Sequence, residues 1–243
     1  MRYLMTFSYD GTLFYGYQKQ VDKRTVQEEI EKVLSKINDK KISISASGRT
    51  DALVHAIGQR AHFDSDKIFD VERLKHSMNK MLPEDIYIKK IEQVDDDFHA
   101  RFNVVKKKYV YKLNVGEYNP LLRNYVFQYN WKLNVKKMNM ALKYFKGTHN
   151  FKSVTKTSSE EKDYTRTIYD IELSENNEII EITFVGNGFM RYMVRNMVGL
   201  LIAVGEEKIK PSDIKKILES EDRTMAKKTA PPEGLYLTEV YYD

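Results

Sequence analysis

A predicted strand, a long connection and an amphipathic helix follow one another in that order twice along this chain. In the first half, alternating apolar residues predict a strand over 2–9, and Thr25–Glu28 reads as a capping box that opens a helix. In the second half, alternation predicts a strand over 108–115, and Asn134 is expected to cap a helix that Gly147 ends. This order predicts an α+β protein built from two related halves.

The boundary between the halves is predicted near 103–106, which gives domains of 1–103 and 104–243. A helix over 190–204 would carry Arg191 and Arg195 on one face, because they are four residues apart. The remaining predicted strands are 42–46, 59–64, 86–91, 167–173, 179–185 and 235–242, and the remaining helices are 71–82, capped by Asp70, and one beginning at Pro211 and Ser212.

The absence of cysteine excludes a disulfide scaffold and thiolate chemistry, and it fits a reducing cytoplasm. Residues 1–7 enter a strand pattern directly, so no signal peptide is expected. The most apolar stretch, 197–204, is far shorter than the about 18 residues of a membrane span. Five histidines without zinc-site spacing predict no bound metal. We therefore expect a soluble cytoplasmic protein with no membrane association.

Positive charge is concentrated in the middle of the chain. Residues 104–152 contain eleven Lys or Arg and one acid, Glu117, and they are also rich in Tyr, Phe and Trp. Cations attract nucleic-acid phosphates, and aromatic rings interleaved with them stack on unpaired bases. For any one residue, a buried ring or a solvated lysine explains the pattern equally well, but the clustering favours an RNA partner.

The stretch 47–63 combines Gly, Arg, Thr, Asp and His directly after a predicted strand. By local rules, Asp51 is more often the cap of a turn or helix than a catalyst, and His55 is more often a hydrogen-bonded supporting group. Gly11 and Gly16 have the spacing of a phosphate-binding loop, but Tyr17 replaces its lysine, so that motif fails. Carboxylate chemistry and plain binding both remain open.

Taken together, these segments resemble the bacterial tRNA pseudouridine synthase A family. The resemblance peaks at Gly48-Arg49-Thr50-Asp51-Ala52 followed by Val54-His55-Ala56. The other matching blocks, in the family's order, are 9–18, 25–27, 58–59, 82–83, 97–102, 108–111, 147–151, Arg166, 188–190, 193–199, 222–223 and 230–235. They span nearly the whole chain.

The family usually has a second glycine where this chain has Leu53. A glycine needed at positive φ would make leucine unfavourable by on the order of 1 kcal/mol. We therefore expect ordinary backbone angles at Leu53.

The resemblance implies two pseudo-symmetric α/β halves, a mostly antiparallel mixed sheet flanked by helices, and an active-site cleft between the halves. It implies a homodimer without a cofactor that converts uridine to pseudouridine at nucleotides 38, 39 and 40 of the tRNA anticodon stem-loop. It also identifies Asp51 as the catalytic carboxylate and Tyr109 as the base-stacking residue.

Arg195, a cation in an apolar segment, needs an anion and is expected to keep Asp51 ionised. Arg49 is expected to hold RNA phosphate or the flipped nucleotide, and the expected RNA-binding residues are Arg101, Lys106, Lys107 and Lys108. Asp51 would either attack the anomeric carbon or remove the ribose 2′ proton. The competing classes are a non-catalytic tRNA-binding module and a nuclease or glycosidase with Asp10 as second acid.

Overall fold

A computed structural model describes residues 1–156 and 163–243, and the following elements all lie within these ranges. Their bounds are β1 (Arg2–Tyr9), α1 (Val26–Asn38), β2 (Ile44–Ala46), β3 (His55–Asp64), α2 (Val71–Met81), β4 (Ile86–Val94), β5 (Lys106–Asn114), β6 (Phe127–Gln128), α3 (Val135–Leu142), β7 (Gly147–Asn150), β8 (Thr165–Asn176), β9 (Ile179–Gly186), α4 (Met193–Gly205), α5 (Asp213–Glu219) and β10 (Leu235–Tyr241). Most strand pairings are antiparallel, so the α+β class is confirmed.

The chain divides into two units: residues 1–105 together with 236–243, and residues 106–235. The sequence places the boundary after residue 103 and assigns the last strand to the second half. In the structure, β10 instead pairs in parallel with β3, at Tyr236 with His55 and at Leu237 with Ala56. The first unit therefore includes the C-terminal end of the chain.

In the first unit, β1 lies between β3 and β4 and is antiparallel to both. Its alternation buries Tyr3, Met5, Phe7 and Tyr9 on one face. The apolar stripes of α1 and α2 supply further core residues: Ile30 and Leu34 from α1, and Leu74 and Met78 from α2. Burial of each such side chain contributes about 1.5–3 kcal/mol.

A bulge explains the irregular apolar spacing of β4. Thr6 pairs with Lys90 and Phe7 with Ile88, so one residue of β4, Lys89, has no partner in β1. Because of this extra residue, Ile91 faces the core as Ile88 does, although it lies three positions further on, and both are buried.

The second unit orders its strands β5, β9, β8 and β7, all antiparallel, with β6 added in parallel beside β5. Every residue of α4 except Arg195 and Ala203 is buried. A helix that is apolar all round belongs in a core. The part of the chain that the structure describes has no helix long and apolar enough to cross a membrane.

Three local predictions were wrong in detail. Thr25 does precede α1, but its hydroxyl is buried and has no hydrogen-bond partner in the described residues, so no capping box forms. Helix α3, capped by the Asn134 side chain at Lys137, ends at Leu142 rather than near Gly147, because Tyr144 and Phe145 bond back three residues in a tighter turn.

The third error concerns Arg191, which does not share a helix face with Arg195. Tyr192 has a φ of 65°, in the left-handed region, and a right-handed helix cannot pass through such a residue. Helix α4 therefore begins only at Met193, and Arg191 lies in the turn before it.

Candidate functional site

The loop 47–54 joins β2 to β3, and side chains tie its start to β3. The Ser47 hydroxyl donates to Gln59 Oε1 at 2.7 Å, and Gln59 Nε2 donates to the Gly48 carbonyl at 3.0 Å. Both Ser47 and Gln59 are fully buried. Because a buried amide that is satisfied on both sides has one orientation, these bonds fix where the loop leaves the sheet.

Thr50 anchors the middle of the loop to β1. Its hydroxyl lies 2.7 Å from the Tyr9 hydroxyl, and both groups are buried. Burial raises the pKa of Tyr9 to about 12, against the opposing effect of its hydrogen bonds to Thr50 and Gln59. Tyr9 therefore stays a neutral hydroxyl at physiological pH and can remain bonded to Thr50.

Two glycines of the preceding loop, Gly11 and Gly16, let its backbone press against 50–54. A Cβ on Gly11 would lie 2.2 Å from the Val54 carbonyl oxygen, and one on Gly16, whose φ is +98°, would lie 3.0 Å from the Thr50 carbonyl oxygen. Tyr17 N–H also donates to the Thr50 carbonyl at 3.1 Å. This close backbone contact was not predicted from the sequence, although two glycines in one loop were the available signal.

Asp51 stands between the buried Thr50 and the exposed Ala52, and its own side chain is half-buried. Its carbonyl accepts from Val54 N–H at 3.2 Å, which closes a turn, and strand β3 begins at His55. No helix follows in this described segment, so the helix-cap alternative for Asp51 is excluded here. The carboxylate is presented by a turn whose backbone is fixed on both sides.

The prediction of ordinary backbone angles at Leu53 was wrong. Its φ is +65°, in the left-handed region, and its side chain is 41% exposed. Its N–H donates to the Phe14 carbonyl at 3.4 Å. The left-handed conformation costs a leucine about 1–2 kcal/mol relative to the right-handed region, so the turn at Asp51 carries local strain.

His55 is buried at the end of the loop, where β3 begins. It is 2% exposed, its ring stacks on Tyr236 with centroids 4.7 Å apart, and Gly11 N–H donates to its Nδ1 at 3.0 Å. Asp10 Oδ1, 3.2 Å from the same nitrogen, caps a short 3₁₀ turn by accepting from both Thr12 N–H and the Thr12 hydroxyl. These contacts assign His55 and Asp10 structural roles.

Arg49 is exposed, and in the described part of the chain it makes no hydrogen bond or ion pair. Arg101 lies elsewhere in the first unit. Ala100, its neighbour, donates to His62 Nδ1 at 3.1 Å, whereas Asp51 lies just before the start of β3. His55 and His62 are seven residues apart on β3, or roughly 23 Å at the strand rise. Arg101 is therefore not close to Asp51.

In the second unit, the turn before α4 contacts both predicted residues, Tyr109 and Arg195. Phe189 packs edge-on against Tyr109 of β5 at 5.1 Å, and Tyr109 is only 8% exposed. The Tyr192 ring lies 4.9 Å from the Arg195 guanidinium. The strained backbone at Tyr192 thus places an aromatic face beside Arg195, a location where strained residues are often functional.

Arg195 is held by the segment that precedes β10. Its Nε donates to the Ala230 carbonyl at 2.7 Å. Burial raises the pKa of Glu233 while Arg195 lowers it, and the pKa of the fully buried Tyr111 is raised well above its usual range by burial and by Glu233. Arg195 is thus the cation of a half-buried polar cluster.

Strand β5 begins with three half-buried lysines, Lys106, Lys107 and Lys108. Lys107 and Lys108 pair with Gly186 and Val185 of β9. Within the described ranges, no cluster of His, Cys, Asp and Glu could hold a metal ion.

A family model for tRNA pseudouridine synthase matches residues 5–103 and 141–243. These ranges include Arg49, Asp51, Arg101 and Arg195, whereas Tyr109 and the three lysines lie between them.

Full-length relatives cover that interval. The tRNA pseudouridine synthase A of Geobacillus sp. (strain WCH70) is 44% identical over 240 residues, 98% of this chain and 97% of the relative. That of Bacillus subtilis (strain 168) is 44% identical over 246 residues and covers 100% of both chains. That of Anoxybacillus flavithermus (strain DSM 21510 / WK1) is 45% identical over 239 residues, 98% of this chain and 97% of the relative.

Proposed function

Because the chain belongs to the tRNA pseudouridine synthase family, we propose that it converts uridine to pseudouridine in the tRNA anticodon stem-loop, with Asp51 as the catalytic carboxylate. The proposed targets are nucleotides 38, 39 and 40. The observation that supports Asp51 as the catalytic carboxylate is its half-buried position in a turn anchored by Ser47, Gln59, Thr50 and Tyr9. A fixed backbone under a reactive carboxylate supplies the positioning that catalysis needs.

The isomerisation breaks the N1–C1′ glycosidic bond, rotates the uracil and forms a C5–C1′ bond, while C5 loses a proton and N1 gains one. An ionised Asp51 would start the reaction either by attacking C1′ or by removing the ribose 2′ proton. Both routes need a carboxylate that is partly withdrawn from water yet still charged. The half-buried position of Asp51 suits either one.

We assign the charge-stabilising role to Arg195. A nearby guanidinium favours the ionised form of a carboxylate, and Arg195 is held in one orientation by Ala230 and Tyr192. Tyr109 is assigned to stack on the flipped uracil, which would offset part of the few kcal/mol that base flipping costs. Arg49, exposed on the Asp51 loop, is assigned to hold an RNA phosphate or the flipped nucleotide, and Arg101 and the three lysines of β5 are assigned to bind RNA.

The proposal extends to a homodimer in the cytoplasm. Light scattering on the purified protein would then give twice the 28.6 kDa mass of one chain.

The decisive experiment measures tritium release from tRNA carrying tritium at C5 of uracil, followed by nucleoside analysis of the product. Asp51→Asn keeps the size of the side chain but removes its charge and nucleophilicity, so release should fall at least about 1000-fold while tRNA binding changes little. Asp96→Asn, in an exposed turn, is the matched control and should stay active. Near wild-type release in Asp51→Asn would remove this residue from the mechanism.

The same assay separates the competing classes. A non-catalytic binding module would hold tRNA and leave its nucleosides unchanged, and a nuclease or glycosidase would release fragments or free base. Comparison of Tyr109→Phe with Tyr109→Ala separates ring stacking from hydroxyl chemistry.

A further inference from the structure

We propose that Asn196 is a positioning residue that aims the Arg195 guanidinium, through Thr229, Arg223 and the Ala230 carbonyl. The inference rests on the proposed function and concerns a residue next to Arg195 that the reaction itself does not use. Asn196 follows Arg195 on α4, is 0% exposed, and points toward a different set of partners.

Arg195 and Ala230 are joined by two hydrogen bonds in opposite directions. Arg195 Nε donates to the Ala230 carbonyl at 2.7 Å, and Ala230 N–H donates to the Arg195 carbonyl at 3.0 Å. The direction of the guanidinium therefore depends on where the backbone of Ala230 lies. Any shift of that segment would turn the charged end of Arg195.

Asn196 fixes the residue before Ala230. Its Oδ1 accepts from the Thr229 hydroxyl at 2.6 Å and from Arg223 Nη2 at 2.9 Å, while its Nδ2 donates to the Val154 carbonyl at 2.7 Å. Two donors on one side and a carbonyl on the other allow only one orientation of the amide. Arg223 also donates to the Thr229 hydroxyl at 3.0 Å and to the Ala226 carbonyl, which closes the network.

The segment also lies directly on α4. A Cβ on Gly199 would be 2.1 Å from the Lys228 carbonyl oxygen, so the two backbones are in contact there. On the far side of Ala230, the Tyr111 hydroxyl donates to the Pro231 carbonyl at 2.8 Å. Ala230 is thus held between Thr229, fixed by Asn196, and Pro231, fixed by Tyr111.

If the network served folding alone, its loss would change only the stability of the protein. The test therefore needs a measured quantity that a change in stability leaves unaffected. If Asn196 aims Arg195, loosening the network weakens the stabilisation of charge at Asp51. The turnover rate then falls without loss of tRNA affinity.

The central comparison is Thr229→Val against Thr229→Ser, measured by the kcat and the KM for tRNA of steady-state pseudouridine formation at neutral pH. Valine has nearly the shape of threonine but loses both hydrogen bonds, whereas serine keeps the hydroxyl. We expect valine to lower kcat on the order of 10-fold with KM for tRNA unchanged, because small misplacements of catalytic groups are costly. Serine should restore kcat.

Ile217→Val, at a buried position of α5, controls for lost stability because it removes none of the hydrogen bonds of the network. Equal kcat in the valine and serine variants would overturn the proposal, as would an Ile217→Val enzyme that loses kcat as much as Thr229→Val. Asn196→Ala, tested at a temperature where it is folded, should reproduce the valine result. A wild-type protein that forms no pseudouridine would instead refute the proposed function.

Discussion

At the scale of single residues, Leu53 is a strained residue beside the proposed catalytic carboxylate. Its φ of +65° suits glycine, and its side chain is 41% exposed, so it gains little from burial. Leu53→Gly should raise the free energy of unfolding by about 1 kcal/mol, the left-handed penalty less the larger entropy that glycine loses on folding. Urea denaturation at neutral pH measures the change.

Leu53→Ala is the matched control, because alanine also carries a Cβ and keeps the penalty. It should leave the free energy of unfolding unchanged or lower it. If alanine stabilised the protein as much as glycine does, the strain explanation would fail and the leucine side chain itself would be the unfavourable group.

The residue-level predictions succeeded where local chemistry decides the outcome. Asp70 and Asn134 do cap α2 and α3 with their side chains, as the sequence indicates. Thr25 does not cap α1, because the fold turns its hydroxyl inward. Local rules favoured a turn or helix cap at Asp51 over a catalyst, and only the family resemblance reversed that order.

At the scale of elements, the loop that contains Gly11 packs against the Asp51 loop through direct backbone contact. A Cβ at Gly11 would stand 2.2 Å from a carbonyl oxygen, which no side-chain adjustment relieves. Gly11→Ala should therefore lower the free energy of unfolding by about 1–3 kcal/mol through overpacking, and should reduce pseudouridine formation by displacing the loop.

Gly188→Ala is the control for that stability measurement, since its Cβ would meet only the Arg166 side chain at an ordinary 3.8 Å. It should unfold at nearly the wild-type urea concentration. Equal destabilisation by the two alanines would show that close backbone approach at Gly11 is not what matters.

The positions of the elements were largely predictable, and their ends were not. Periodicity located β1, α1, α2 and β9 because one face of each is apolar. The bulge in β4 arises from pairing with β1, and the late start of α4 arises from positive φ at Tyr192. Both are tertiary effects that a single segment does not encode.

At the scale of the whole molecule, stability should depend on pH through His62. Burial lowers its pKa to about 4, helped by Arg2 and His99 and opposed by Asp64. The unfolded state has the ordinary pKa of about 6.5 and so binds more protons between these two values. This contribution is complete above pH 6.5 and is lost as pH falls toward 4.

Urea denaturation at pH 7, 6 and 5 should show the free energy of unfolding falling with pH, and His62→Asn should flatten that slope. Asparagine can still accept the Ala100 N–H that now bonds to His62 Nδ1 at 3.1 Å. A slope that is unchanged in the variant would assign the pH dependence to other groups.

The least predictable feature at this scale was which of the two units the last strand belongs to. The sequence identifies an apolar alternating segment over 235–242, but nothing in it indicates the parallel pairing with β3. Pairing between strands distant in sequence is decided by the packed core. The sequence therefore indicates the strand itself but not the partner with which it pairs.

The position of β10 has a consequence for biosynthesis. His55, directly behind the Asp51 loop, stacks on Tyr236, and β10 is translated only after the whole second unit has been made. Chains emerge from the ribosome N-terminus first. The unit that is synthesised first is thus completed last, and a chain released before residue 236 would contain Asp51 without the strand that supports its loop.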